Sequence, residues 1–381
     1  MKIVVKICVT LIVIILVVYF SLRLIWFVQP KQSVNVYILD KTVTSSSYSE
    51  HCSLTWLLNN HRFVGPDQKT YSVKNDYMGF YPIDLEKEQF DFKTVRLNEV
   101  DAFAAAYDLA YYTDCYGVFS FEWYKNFKAQ NVPSSKVYGG LNQNDYLLLK
   151  KMRDNDKVII GEYSLFGTPT NALIRNKVEE LFNLTWSGWS GKYFFSLNPN
   201  HTNGPANWMP KLYESQHLKP WPADETGIVL VNNDGLIDVL LLDEDLNSFT
   251  PTITATADGI QKYKLPQTTD YAGWFEFVTA GEGAQIEASF NLNLTDAGCQ
   301  HLAKIGLPTN FPAIIKAQTN EPTFYFAGDF AENKVCNLCA KIYGGKAINR
   351  LLVGDKLGNN FFSNFYSPLI ESIIEEYCIK K

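Results

Sequence analysis

Residues 7–22, ICVTLIVIILVVYFSL, carry no charge, and Arg23 closes the run. If Arg23 turns its guanidinium toward the headgroups, the about 20 residues needed to cross a hydrocarbon core are in place. Lys2 and Lys6 form a basic flank ahead of the run. A cleaved signal peptide would show small residues at a cleavage site, whereas bulky Trp26-Phe27-Val28 follow here. The expectation is an uncleaved signal anchor over 1–28. Lys2 and Lys6 favour a cytoplasmic N-terminus, and Arg23 and Lys31 partly offset them. The chain therefore reads as a single-pass cell-membrane protein with its large C-terminal part outside the cytoplasm.

That part has ample material for a core, since the 381 residues are 46% hydrophobic and 14% aromatic. The net charge of −6 and the lack of a basic block beyond the N-terminus exclude nucleic acid as a partner. Beyond the anchor lie six cysteines, Cys52, Cys115, Cys299, Cys336, Cys339 and Cys378. The Cys336-Asn-Leu-Cys339 pair has no second pair or nearby histidines to complete a zinc site, and it comes too late for a thioredoxin-type motif. Buried thiols or a local disulfide are expected, and no metal or cofactor is implied.

After a linker over 29–33, residues 34–40 read as an apolar strand ending at Asp40 and 51–60 as a helix. Residues 63–84 read as irregular and turn-rich, and a helical patch falls near 98–106. Residues 108–113 form a strand stopping at Asp114, 144–156 a helix, 158–160 a strand running into Gly161-Glu162, and 171–184 an amphipathic helix. This alternation predicts an α/β fold with a doubly wound, mostly parallel sheet. Two β-rich runs around Asn-Asp-Gly (227–243) and a second pair around Thr319-Asn320-Glu321-Pro322 read as hairpins. One domain over 34–381 with a β-rich insertion near 225–310 is expected, closed by a helix over 367–380.

Three stretches, YDLAYYTDCYGV, DYLLLKKMRDNDKVIIGEY and FPAIIKAQTNEPTFYFAGDFA, resemble in pattern and order the class I glutamine amidotransferase-like superfamily. The resemblance spans roughly 34–190 and 310–335 and implies a flavodoxin-like fold. That superfamily includes many domains without amidotransferase activity. Its active members place a cysteine at a sharp strand-to-helix turn and supply a His and a Glu later. Here the corresponding strand ends Gly161-Glu162-Tyr163-Ser164, and Cys115 follows an earlier strand, where the family usually has an oxyanion loop. No His-x-Glu occurs at His201, His217 or His301. Without an activated thiolate, glutaminase activity is not expected.

Candidate site residues fall at strand ends, where open α/β sheets bind ligands. Asp40, Asp114, Glu162 and Asp329 would converge on one edge. Asp114 and Glu162 are the pair that could cleave a glycosidic bond, and loop bracing is the competing role for all four. Tyr116, Tyr163 and Ser164 flank them as ligand contacts. His51 is the candidate general base, set against a plain helix-start reading of Ser49-Glu50-His51. Trp186, Trp189 and Tyr193 in TWSGWSGKYFFSL would either stack on sugar faces or pack beneath a loop. The expected function is binding of a glycan or a partner protein of the cell envelope. A glycan hydrolase and a structural subunit of an envelope complex stand as the alternatives.

Overall fold

The computed structural model describes residues 2–125, 134–353 and 361–379. The strands used below are β1 (Val36–Asp40), β2 (Met78–Asp84), β3 (Gln89–Lys93), β4 (Leu109–Tyr112) and β5 (Val158–Glu162). Then come β6 (Leu184–Phe194), β7 (Gly227–Asn232), β8 (Ile237–Leu241), β9 (Thr252–Ala255) and β10 (Thr268–Asp270). The last are β11 (Phe275–Ala280), β12 (Gln285–Asn291), β13 (Asn310–Lys316) and β14 (Thr323–Phe326). The helices used below are α1 (Lys2–Val28), α2 (Ser49–Asn60), α3 (Val100–Ala106), α4 (Gln143–Asp154) and α5 (Ala172–Phe182). They continue with α6 (Trp208–His217), α7 (Ala257–Tyr263), α8 (Asp296–Lys304), α9 (Gly345–Val353) and α10 (Ser367–Ile374).

Ten strands make one sheet in the order β10-β9-β12-β13-β14-β5-β4-β1-β2-β3. Its centre, β14-β5-β4-β1-β2, is parallel throughout, and every flanking pairing is antiparallel. Ranked by position along the chain, the five parallel strands lie in the flavodoxin-like order 2-1-3-4-5, so the fold is α/β and doubly wound at its centre. Central strands are apolar on both faces: β4 is Leu-Ala-Tyr-Tyr, wholly buried. Alternation sends its two tyrosines to opposite layers. The Tyr112 hydroxyl donates to the Asp145 carbonyl of α4, whereas the Tyr111 hydroxyl donates to Glu162 and lies near Tyr366 on the C-terminal side. Helices α3, α4 and α5 therefore cover one face, and α2 with α10 the other.

Two expectations are corrected here. The span 63–84 holds an edge strand of the parallel set, since β2 pairs with β1 at Leu39–Met78 and Asp40–Gly79. Gly79 has φ +129°, and a Cβ there would stand 1.8 Å from the Asp40 carbonyl oxygen, so only glycine lets β2 approach. The tryptophan-rich stretch is also no loop. It is β6, the centre of a four-stranded antiparallel sheet, β8-β7-β6-β11. This sheet leans on the edge of the main one through the Glu276 N–H to the Ala327 carbonyl. The segments near 225–310 divide between the two sheets: β9, β10 and β12 extend the main sheet, and β7, β8 and β11 build the second. The hairpins β7–β8 and β13–β14 form as the turn residues predict. No disulfide joins the described cysteines.

Helix α1 is long and apolar enough over Ile3–Val28 to cross a membrane. Its last turns dock on the domain. The Trp26 indole N–H donates to the carbonyls of Asn59 (3.1 Å) and Asn60 (3.2 Å), and the Arg62 guanidinium donates to the carbonyls of Phe27 and Gln29.

Candidate functional site

Parallel strands end on one edge, so β1, β4, β5 and β14 deliver Asp40, Asp114, Glu162 and Asp329 to the same side of the sheet. The strand order reverses between β1 and β4, and there the Lys41 N–H bonds the Asp114 carbonyl at 2.8 Å. Helix α2 adds Glu50 and His51, the loop after β14 adds Glu332, and β11 adds Glu276.

Each carboxylate is held differently. Asp40 is fully buried; its Oδ1 accepts the Thr42 N–H at 2.9 Å, and its Oδ2 lies 2.6 Å from His51 Nδ1. The other ring nitrogen of His51, Nε2, meets the Val73 carbonyl at 2.8 Å. A carbonyl only accepts, so Nε2 carries a hydrogen, and no nitrogen is left to take a proton from a ligand. His51 has no exposed surface and positions Asp40; the expectation that it serves as a general base is corrected.

Glu162 is likewise enclosed. Its Oε2 accepts the Tyr111 hydroxyl at 3.0 Å and the Ala331 N–H at 3.2 Å, and its Oε1 is buried without a partner. Burial pushes its carboxyl well above the usual range, with the Tyr111 and Ala331 donors offsetting part of that. A carboxyl with no exposed surface cannot reach a glycosidic bond in a polymer, so the pairing of Glu162 with Asp114 as hydrolytic partners does not fit this geometry.

Asp114 is more accessible, at 8% exposure, although its Oδ1 takes the Tyr116 N–H at 2.7 Å. Burial raises its carboxyl to about 7, helped by the Asp40 charge, while the Tyr116 N–H and the Ser164 and Thr42 hydroxyls pull the other way. Glu276 also reaches about 7 through burial; it accepts the Ser164 N–H at 3.1 Å and the Tyr325 hydroxyl. Ser164, caught between the two acids, has φ +74°, an uncommon conformation for serine.

Glu50, Asp329 and Glu332 each bring an oxygen within 4.8 Å of the others. Burial, then the Glu332 charge, pushes both Glu50 and Asp329 well above the usual carboxylate range. Glu332 itself is exposed.

Beside these acids stands an aromatic pair. Tyr163 stacks on Trp274 with ring centres 6.0 Å apart and planes 16° from parallel, and both residues are partly exposed. The Asp329 N–H donates to the Trp274 carbonyl at 2.9 Å, which ties the pair to the carboxylate edge. Tyr116, at 37% exposure, stands nearby against Phe119.

Trp186, Trp189 and Tyr193 do not join this group. They are buried in β6, with Trp186 against Phe166 and beneath the Arg175 guanidinium. Of the two roles expected for these rings, packing is the one seen, within a strand and not beneath a loop. Sequence reasoning missed Trp274 and Glu276 and placed Glu50 beside His51 at the ligand edge, set against a helix-start role. The Gly273-Trp274 step before β11 was a signal that a ring follows a turn, although nothing in the sequence placed it beside Asp329.

Cys115 is buried and its thiol is pushed up by that burial, so it is no activated nucleophile. Behind the α4 and α5 starts, a cavity of about 390 Å³ is bordered by Lys41, whose ammonium is bound to Asp145 at 2.5 Å.

No described protein family matches the chain, and no curated protein matches it. Among solved structures, a ThuA-like protein from Bacteroides uniformis aligns over 92% of this chain and 94% of its own, at 8% identity and a TM-score of 0.40. A likeness at that level assigns no role to any residue here.

Proposed function

We propose that the chain is a membrane-anchored, extracytoplasmic module of the cell envelope that binds carbohydrate at the carboxyl edge of its parallel strands, without glutaminase activity. The observation that carries this reading is the partly exposed Tyr163–Trp274 stack joined to Asp329 and bordered by Asp114, Glu50 and Glu332. A flat aromatic face takes the apolar face of a sugar ring, and neighbouring carboxyls accept its hydroxyls. Pre-set acceptors limit the ordering cost of binding. Because burial raises Asp114 to about 7, it is part protonated near neutrality and can both donate and accept.

A glycan hydrolase is the second reading, favoured by the near-neutral titration of Asp114; Glu276, at 1% exposure, is as enclosed as Glu162 and cannot be its partner. The enclosure of Glu162 counts against its original form. Probing a glycan array with the full chain in lipid nanodiscs tests the proposal. Retention of defined oligosaccharides by the wild type, lost in Trp274→Ala, is expected. No retention by the wild type, or equal retention by both, overturns it.

A further inference from the structure

Beyond the end of α1, a segment of the domain leaves large apolar side chains uncovered. Leu338 is 70% exposed, Tyr343 52%, Leu351 81% and Leu352 66%. The last two close α9, a helix only about 13 Å long at 1.5 Å per residue, and Arg350 stands exposed beside them. Apolar residues exposed singly need no cover, and these four fall close together in the part of the chain that meets α1.

The connection to α1 says what covers them. The Tyr343 N–H donates to the Leu22 carbonyl at 3.0 Å, and Leu22 packs partly against the domain core. Trp26, 5% exposed, is sunk in the domain, so the last turn of α1 belongs to the protein; residues 3–22 remain to cross the hydrocarbon, with Tyr19 and Leu22 touching the domain core on one side. That length rises about 30 Å, the thickness of a hydrocarbon core. Leu22 then stands at the outer boundary of the core, and Tyr343 beside it at headgroup depth. The composition fits that depth: a tyrosine and leucines with Lys341 and Arg350 close by.

We infer that residues 338–353 form a second, interfacial contact with the bilayer, with Leu338, Tyr343, Leu351 and Leu352 entering the headgroup–acyl boundary next to α1. The domain, already docked on the end of α1, is thereby held at a fixed tilt on the membrane. The inference rests on α1 spanning the bilayer.

Hydrogen exchange of the full chain in phospholipid nanodiscs tests it, comparing the wild type with L351Q/L352Q. Both substituted side chains are solvent-facing in the protein alone, and glutamine keeps helix propensity. The expected result is exchange over 345–353 about tenfold faster in the variant, with the amides of β4 and β5 unchanged. Equal exchange over 345–353 in the two proteins, with 7–22 protected in both, overturns the interfacial contact and leaves the anchor standing. Free exchange over 7–22 overturns the anchor and this inference together.

Discussion

Glu162 and His51 show how much chemistry at the sheet edge goes into holding the edge together. Glu162 accepts two buried donors through one oxygen, and burial favours its protonated form. Glutamine can keep the accepting oxygen and replace the protonated one with an amide. Glu162→Gln should therefore cost less than about 1 kcal/mol in urea unfolding, and Glu162→Ala, which orphans both donors and opens a void, about 3–5 kcal/mol. His51→Ala leaves Asp40 buried with one partner fewer and should cost about 3–5 kcal/mol by the same measurement. From sequence, both residues were visible as candidates because strand ends and helix starts are legible. Their burial was not, because it depends on Tyr111, Ala331 and Val73, which come from elements far away in the chain.

At the scale of the elements, the edge joining β1, β4, β5 and β11 stores acids in a place that disfavours their charge. Asp114 goes from an ordinary 3.8 to about 7 and Glu276 from 4.5 to about 7. The folded state thus binds more protons than the unfolded one between about pH 4 and 7. Their contribution is fully present below the unfolded values and is lost as pH rises through about 7. Glu371 has the opposite sign. Burial would raise it, but the His61 and Lys346 partners outweigh that and hold it at about 2, so its contribution stays constant above about 4.5. Tm should therefore rise from pH 8 to pH 5 in thermal melts, and Asp114→Asn should flatten that rise. His301, raised by Asp238, adds slope of the same sign, so the variant is needed to assign the effect.

The aromatic elements make a matching contrast. Trp186→Ala in β6 should cost about 3–5 kcal/mol, because its ring is core. Trp274→Ala should leave the domain folded and weaken glycan binding at least about tenfold, the equivalent of about 1.4 kcal/mol. Central strands were legible because β4 and β5 are unbroken apolar runs. β2 was not, because its contact with β1 is two residue pairs long and its sequence carries Gly79 and Pro82. β6 was hidden by its glycines, one of which, Gly191, packs directly under Phe275.

For the whole molecule, the strand order 2-1-3-4-5 places the reversal between β1 and β4, and the site lies at the carboxyl ends beyond it. That much of the site was legible, since the four strand-end acids could be counted from the sequence. The second sheet was not, and it is what supplies Trp274 and Glu276 to the edge. The proposed sugar-binding role rests on this edge with Trp274 as its platform. Hydroxyl-radical footprinting of the full chain in nanodiscs, with and without a saturating oligosaccharide from the array, addresses it directly. Protection of Tyr116, Tyr163 and Trp274 is expected, with unchanged oxidation of Trp208, which is 43% exposed on α6. Protection of residues along the Lys41 cavity instead, or none at Tyr163 and Trp274, would contradict it.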